Sequence, residues 1–172
     1  MSADDEQVMW EGRYMAAVTR GRWEYVRRTG GMTAVAIEAV VDGKLLLVEQ
    51  YREPLGRACI ELPAGLVGDD DGRHDTPEQA ASRELEEETG YRAGRIETLG
   101  VFHSSPGILS EGFTMVRAHD CVKVGEGGGV EGENITVHEV ATDRLAQFVE
   151  EQRAKGSAID VRVMAMLGRY GL

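Results

Sequence analysis

Three glutamates, Glu84, Glu87 and Glu88, lie at spacings of three and four residues within a stretch that covers residues 76 to 89. In an α-helix these spacings bring side chains together on one face, whereas Glu86 points elsewhere. Three carboxylates within about one turn repel one another unless a cation lies between them. Mg²⁺ prefers oxygen ligands and often bridges carboxylates to substrate phosphates. The spacing therefore indicates either a divalent-cation site or a solvated acidic face.

The helix that must carry these glutamates has local start and stop signals. Thr76 suits the N-cap and Pro77 the first helical position. Gln79 lies three residues after Thr76, where a capping box has its second partner. Gly90 suits the left-handed residue that ends a helix. The pattern predicts a helix over residues 76 to 89.

The segment from Arg83 to Tyr91, RELEEETGY, matches the second half of the Nudix box, G-x5-E-x7-R-E-U-x-E-E-x-G-U, where U is apolar. By this resemblance the chain is identified as a member of the Nudix hydrolase family. The resemblance implies an enzyme that binds a divalent metal and hydrolyses a nucleoside diphosphate linked to another group. It also implies an α/β protein with the Nudix fold, an α/β/α sandwich around a mixed β-sheet.

The first half of the box departs from the family pattern. Asp75 stands where the family has glutamate, and Asp69 stands where it has the opening glycine. If Gly65 is the true opening glycine, residues 66 to 74 form a loop with four residues inserted. A ligand-sensing module without turnover therefore remains an alternative, although Nudix-like sensors usually lack the glutamates of the second half.

Several segments resemble the ADP-ribose pyrophosphatase branch of the family. Pro106 and Gly107 follow the box, with Pro106 sixteen residues after Gly90, and we place both among the substrate-binding residues. The segments EQYREP, from residue 49, and ELPAG, from residue 61, are also similar. The resemblance implies hydrolysis of ADP-ribose to AMP and ribose 5-phosphate. Because the box does not specify the base or the sugar of the substrate, a GDP-mannose or UDP-glucose type of substrate is the alternative.

The resemblance also implies the metal ligands. Glu84, Glu88 and the backbone carbonyl of Ala64 match ligands of Mg²⁺, with Mn²⁺ as the alternative ion. Glu87 matches a further ligand or a group that orients water. Arg83 is expected to hold the glutamates through salt bridges, or simply to orient the helix by an ion pair.

An acidic segment follows the glycine cluster of residues 125 to 129, which we expect to be flexible. It resembles the loop that closes over the site in the ADP-ribose branch. The resemblance makes Glu131 the candidate general base and Glu133 an additional metal contact. The alternative is a solvated acidic loop without a catalytic role.

The N-terminal segment supplies candidates for nucleoside recognition. Trp23 and Glu24 resemble the aromatic and acidic pair that holds adenine in dimeric relatives, although Trp23 is equally suited to a dimer core. Arg28 and Arg52 match positions that contact the phosphates or the ribose. Glu111 is a candidate contact to the terminal ribose.

Composition limits the classes of function. A net charge of −11 over 172 residues argues against a nucleic-acid polymer as partner. No apolar run approaches the length of a membrane span, and the first residues lack signal-peptide character, so we expect a cytoplasmic protein. The two cysteines and four histidines show no metal-ligand spacing. A small nucleoside diphosphate sugar remains compatible with the charge.

The remaining pattern predicts two parts: residues 1–30 as an N-terminal β-hairpin in contact with a second subunit of a homodimer, and residues 31–172 as the Nudix domain. The hairpin would pair 10–19 with 23–28. A second hairpin would pair 32–40 with 44–50 through Asp42-Gly43. Further strands are expected over 96–103, 113–122 and 135–140. Helices are expected to begin at Thr142 and at Ser157.

Overall fold

The protein's computed structural model describes residues 6–68, 75–130 and 132–170. In chain order the strands are β1 (Gln7–Glu11), β2 (Met15–Arg20), β3 (Trp23–Arg28), β4 (Thr33–Val41), β5 (Lys44–Arg52), β6 (Arg57–Glu61), β7 (Ala64–Val67), β8 (Tyr91–Arg92), β9 (Arg95–Phe102), β10 (Phe113–His119), β11 (Val122–Lys123), β12 (Thr136–Ala141) and β13 (Ala158–Ile159). The α-helices are α1 (Pro77–Thr89), α2 (Leu145–Ala154) and α3 (Val161–Tyr170).

The central strand β4 has apolar residues on both faces and is covered on both. Val35 and Ile37 belong to the cluster that contains Leu85 of α1. Ala36, on the opposite face, belongs to the cluster that contains Leu145 of α2 and Val163 of α3. Successive strand residues point to opposite faces, so the sheet lies between two helical layers. The predicted α/β/α sandwich is confirmed.

The main sheet is mixed, as predicted. Its order is β13-β6-β5-β4-β10-β9, with β12 pairing to β5 and β7 pairing to β4. The β4–β10 and β6–β13 pairs are parallel, and the other pairs are antiparallel. The Asp42-Gly43 turn joins β4 to β5 with positive φ at both residues, 49° and 75°. This hairpin was predicted correctly from the turn residues.

The N-terminal segment differs from the prediction. The expected strand over residues 10–19 is divided into β1 and β2, because the chain turns at Gly12, whose N–H donates to Met15 O at 2.9 Å. The result is a three-stranded antiparallel sheet, β1-β2-β3, rather than a hairpin. The β2–β3 part was correct. Val26 of β3 donates its N–H to Ile108 O at 2.8 Å, which joins this sheet to the loop before β10.

Helix α1 begins and ends where the sequence predicts. The Thr76 hydroxyl accepts from the N–H of Gln79, and the Gln79 side chain accepts from the N–H of Thr76. Gly90 ends the helix at φ 74°. Since these signals are local, they could be found without knowledge of the tertiary fold.

The C-terminal helices begin later than predicted. Thr142 opens a short 3₁₀ turn, and α2 follows without a side-chain cap. Ser157 precedes a strand instead of starting a helix, because residues 158–159 pair with β6 at the sheet edge. Asp160 then caps α3, accepting the N–H of Arg162 at 2.7 Å.

Within the described ranges, no helix combines the length and the apolar character that a membrane crossing requires.

Candidate active site

A cavity of about 650 Å³ lies where α1 meets the ends of β5, β6 and β7. Seven of the site residues proposed from the sequence line this cavity, as do several residues that were not proposed. The proposed residues that line it are Arg28, Arg52, Ala64, Glu84, Glu88, Glu111 and Glu133.

Glu84 and Glu88 reach the cavity because β7 passes very close to α1. A Cβ placed on Gly65 would lie 2.0 Å from Cδ of Glu84, so a side chain larger than hydrogen would displace that carboxylate. The N–H of Ala64 donates to Oε2 of Glu88 at 3.0 Å. Strand β7 therefore fixes two carboxyl groups at one end of the cavity.

These two carboxyl groups are protected from water. Burial raises the pKa of Glu88 to about 8, against the lowering effect of the Ala64 N–H, and the charge of Glu84 adds to the rise. Burial also raises the pKa of Glu84, although the neighbouring Arg83 opposes that shift. The charge of Glu133 contributes in the same direction to both. Two adjacent carboxyl groups whose ionisation is disfavoured, and whose oxygens are hard donors, fit a divalent cation such as Mg²⁺.

The carboxylates of α1 are at present held by protein donors. Arg83 Nη1 contacts Glu84 at 2.9 Å and Glu87 at 3.2 Å. Among residues 6–68, 75–130 and 132–170, no three acidic, histidine or cysteine side chains form a ready metal-ligand group. Arg83 contacts Oε1 of Glu84, so the second oxygen of that carboxylate could serve a cation. Glu87 does not line the cavity, and Glu86 forms a bidentate pair with Arg92 away from it.

Arginines also line the cavity. Arg52 makes a bidentate contact with Glu61, at 2.6 and 3.0 Å. Arg162, from the start of α3, reaches the same carboxylate at 3.1 Å. Sequence reasoning identified Arg52 but missed Glu61 and Arg162 as site residues. Arg162 is 110 positions after Arg52, so only the pairing of β13 with β6 brings them together.

Two of the proposed substrate residues contact each other. Arg28 Nε donates to Glu111 Oε1 at 2.5 Å, and both side chains are about one-quarter to one-third exposed, 24% for Glu111 and 32% for Arg28. The pair joins β3 to the loop before β10 at the rim of the cavity. Arg28 is thus also held by a carboxylate, but through a single contact and not the bidentate contact of Arg52.

Trp23, Pro106 and Gly107 lie apart from this group. They line a separate cavity of about 410 Å³, together with residues of the N-terminal sheet. Glu24 is exposed and lines neither cavity. Glu131 lies outside the described residues, so its role stays a prediction.

The glycine-rich segment was expected to be flexible, and it is instead bonded to the end of α1. Gly128 N–H donates to Glu88 O at 2.8 Å, and Gly129 N–H donates to Glu87 O at 3.0 Å. A Cβ on Gly127 would lie 2.5 Å from the carbonyl carbon of Thr89. The segment therefore caps the carbonyl end of the helix and leads directly to Glu133. Close backbone approach at Gly127, and positive φ at Gly127, Gly128 and Gly129, favour glycine at these positions.

A cysteine nucleophile is disfavoured. Cys59 lines the cavity, but burial raises the pKa of its thiol to about 12. The thiol stays protonated at neutral pH and is a poor nucleophile in that form. The chemistry of the cavity therefore depends on its carboxylates and guanidinium groups.

Comparison with known proteins agrees with this arrangement. The model of the NUDIX domain matches residues 31–163. A methanol dehydrogenase activator from Bacillus methanolicus is 35% identical over 141 residues, covering 81% of this chain and 73% of that protein. An ADP-ribose pyrophosphatase from Bacillus subtilis is 37% identical over 131 residues, covering 75% of this chain and 67% of that protein.

A solved structure of an ADP compounds hydrolase shares the fold, with a TM-score of 0.73 at 21% identity, over 98% of this chain and 92% of that one. The matched range contains the two glutamates of α1 that face the cavity and both strands that orient Arg52. The chain therefore belongs to the Nudix hydrolase family and is a Nudix pyrophosphohydrolase.

Proposed function

We propose that the protein hydrolyses the pyrophosphate bond of ADP-ribose, with Mg²⁺ bound, to give AMP and ribose 5-phosphate. The observation that carries the proposal is the cavity itself, which is lined by Glu84 and Glu88 of α1 and also by Arg28 and Arg52. Carboxylates suit a divalent cation, and guanidinium groups suit phosphate oxygens. The similarity to an ADP-ribose pyrophosphatase supports the choice of substrate.

Glu84, Glu88 and the carbonyl of Ala64 are the groups that would hold the cation. When bound, such an ion neutralises phosphate charge and polarises water. Mn²⁺ is the alternative to Mg²⁺. The chain's own contribution is to keep Glu88 buried and fixed by the Ala64 N–H, so that the ligand is in place before the substrate arrives.

The arginines orient the substrate for attack at phosphorus. Arg52 and Arg28 bind oxygens of the two phosphates, which aligns one phosphorus with an incoming water. A bond forms between the water oxygen and that phosphorus, and the bond from it to the bridging oxygen breaks. The bridging oxygen leaves with the other phosphate, so AMP and ribose 5-phosphate account for all atoms.

The base that accepts the water proton belongs to the segment after the glycines. Glu131 remains our candidate, and Glu133 is the candidate for the additional metal contact. Glu133 lines the cavity, and its Oε2 accepts the N–H of Val130 at 2.9 Å. Glu133 shares the cavity with Glu84 and Glu88, and a general base must lie within hydrogen-bond reach of the attacking water.

We also propose that the protein acts in the cytoplasm as a homodimer formed through its N-terminal sheet. The support is the apolar exposed surface of that sheet, on which Met9 is 66% and Trp10 is 57% exposed. A second copy would cover these side chains. Trp23 and its neighbouring cavity then lie close to the interface, where Trp23 would stack on adenine and Glu24 would accept its amino group.

A substrate panel tests the proposed function. With Mg²⁺, we expect kcat/KM for ADP-ribose to exceed that for GDP-mannose and UDP-glucose at least tenfold, with AMP and ribose 5-phosphate as products. A tenfold preference for another sugar would replace ADP-ribose by that compound. No turnover of any of the three would support the sensor alternative.

A further inference from the structure

The carboxylate of Glu61 is buried between two arginines of different elements. Its side chain is 5% exposed, whereas that of Arg52 is 42% exposed and faces the cavity. Arg162, 16% exposed, contacts the same carboxylate at 3.1 Å and is itself held by Asp160, at 2.7 and 3.0 Å. One buried acid therefore joins a cavity arginine to the C-terminal helix.

The fold places this group at the edge of the sheet. Arg52 ends β5 and Glu61 ends β6, and these strands are antiparallel neighbours. Strand β13 adds to β6 in parallel, and Asp160 N–H donates to Ile60 O at 3.0 Å. The chain then enters α3, and Arg162 in its first turn reaches Glu61. The C-terminal segment thereby becomes part of the wall of the cavity.

The contact determines how Arg52 is presented. A guanidinium group has five N–H donors in one plane. Glu61 accepts from Nε and Nη2, which fixes that plane and leaves the donors of Nη1 outside the contact. Bidentate pairing of this kind restricts an otherwise flexible side chain.

We propose that Glu61 is a positioning residue that holds Arg52 in the orientation that binds the substrate phosphates, and that Arg162 holds Glu61. The proposal rests on the proposed function, since that function assigns Arg52 to the phosphates. If Glu61 served only to balance charge, its loss would have the opposite effect. Removing its negative charge near the phosphates would strengthen substrate binding, whereas losing the orientation of Arg52 weakens it.

The decisive variant is Glu61→Gln, which keeps the size of the side chain and loses the charge and the bidentate acceptor. We expect KM for ADP-ribose to rise about tenfold and kcat to stay within about twofold, because the affected contact serves binding. Arg162→Met should raise KM in the same direction, and Arg162→Lys should restore part of the loss.

The chain offers a matched control in Glu38. This carboxylate is 1% exposed and is also held by two arginines, Arg117 at 3.2 Å and Arg169 of α3 at 3.1 Å. It does not line the active-site cavity. Glu38→Gln should lower the melting temperature at least as much as Glu61→Gln while leaving KM within about twofold of the wild type.

A second readout separates this proposal from the choice of substrate. Binding of inorganic pyrophosphate in Mg²⁺ buffer, followed by calorimetry, should be about tenfold weaker for Glu61→Gln than for the wild type. Equal or tighter pyrophosphate binding by Glu61→Gln, or an unchanged KM, overturns the positioning role. If the wild type prefers a different nucleoside diphosphate sugar, the proposed function fails. The comparison of pyrophosphate binding still tests whether Glu61 positions Arg52. If Glu61→Gln does not fold, the same measurements of KM and pyrophosphate binding are made on Arg162→Lys and Arg162→Met.

Discussion

Glu88 has two competing requirements. It is 7% exposed, so ionisation is costly, yet the metal-ligand role that we propose for it requires the ionised form. The Ala64 N–H donates to the carboxylate of Glu88 and thereby reduces the free-energy cost of ionising it. If Glu88 binds a cation as proposed, its charge will depend on whether that cation is present. This makes pH a direct probe of the site.

The folded-state pKa of Glu88, about 8, lies above the ordinary 4.5, so the folded protein binds this proton more tightly than the unfolded chain does. The free energy of unfolding without metal should therefore fall as pH rises from about 5 to 8, by roughly 3 kcal/mol from this group at neutral pH. Thermal or urea unfolding in EDTA at several pH values measures it.

Glu88→Gln serves as the control for that experiment, because it removes the titrating group and keeps the size of the side chain. The fall in stability between pH 5 and 8 should become shallower in this variant. Saturating Mg²⁺ should also reduce the fall in the wild type, since a bound cation favours the ionised acid. Identical pH profiles for the two proteins would contradict the assigned burial and ionisation of Glu88.

At the scale of elements, the important contact is between α1 and the glycine segment. Gly128 and Gly129 donate to the carbonyls of Glu88 and Glu87, which are among the groups that a helix end leaves without partners. The same segment continues to Glu133 in the cavity. The helix that carries the proposed metal ligands is thus hydrogen-bonded to the segment that precedes Glu133.

Gly127→Ala tests this connection. Its φ is 71°, and the new Cβ would lie 2.5 Å from Thr89 C and 2.6 Å from Glu88 O. We expect destabilisation of roughly 2 to 4 kcal/mol, from strain and lost hydrogen bonds. We also expect at least a tenfold loss of kcat/KM, because the helix end and the acidic segment separate.

Gly125→Ala is the matched control. A Cβ there would approach Gly90 Cα only to 3.9 Å, an ordinary contact distance. This variant should keep its melting temperature and its activity within about twofold. If both alanine variants behave alike, the segment does not support the site through close packing.

Local signals explain which elements could be predicted. The cap of α1 and the Asp42-Gly43 turn depend on residues within a few positions, so both were correct. The glycine segment was misjudged because its composition fits a flexible linker as well as a tight backbone contact. Only the tertiary approach of Thr89 to Gly127 distinguishes the two. Thr142 was misjudged as a cap because a 3₁₀ turn precedes α2.

The site was predictable to the extent that a motif contains it. Glu84 and Glu88 are in the box, and the structure places them in the cavity. Glu61 and Arg162 share no local pattern with them, since their contact depends on strands joined far along the chain. Arg28 and Glu111 were both proposed from the sequence as substrate-binding residues, but their contact with each other likewise required the fold.

At the scale of the whole molecule, the N-terminal sheet exposes an apolar surface. All residues of β1 are exposed, and they include three large apolar side chains: Val8, Met9 and Trp10. Strand β1 is also an edge of its sheet. Exposed apolar edges favour association, which agrees with the proposed homodimer.

Trp10→Glu should convert the dimer to a monomer, because the new charge would be buried without a partner at the interface. Light scattering after size-exclusion chromatography measures the mass. Val122→Glu, a change at an apolar residue that is 58% exposed on β11, is the control and should leave the mass unchanged. A monomeric wild type, or a dimeric Trp10→Glu protein, would contradict the assignment of this surface.

The most direct test of the central claim compares two glutamates of the same helix. Glu88 faces the cavity, whereas Glu86 pairs with Arg92 away from it. We predict that Glu88→Gln lowers kcat for ADP-ribose hydrolysis in Mg²⁺ at least 100-fold and that Glu86→Gln keeps it within about twofold, since loss of a metal ligand removes charge stabilisation at phosphorus. Near-normal turnover by a folded Glu88→Gln protein would contradict the claim that the buried acids of α1 form the catalytic centre.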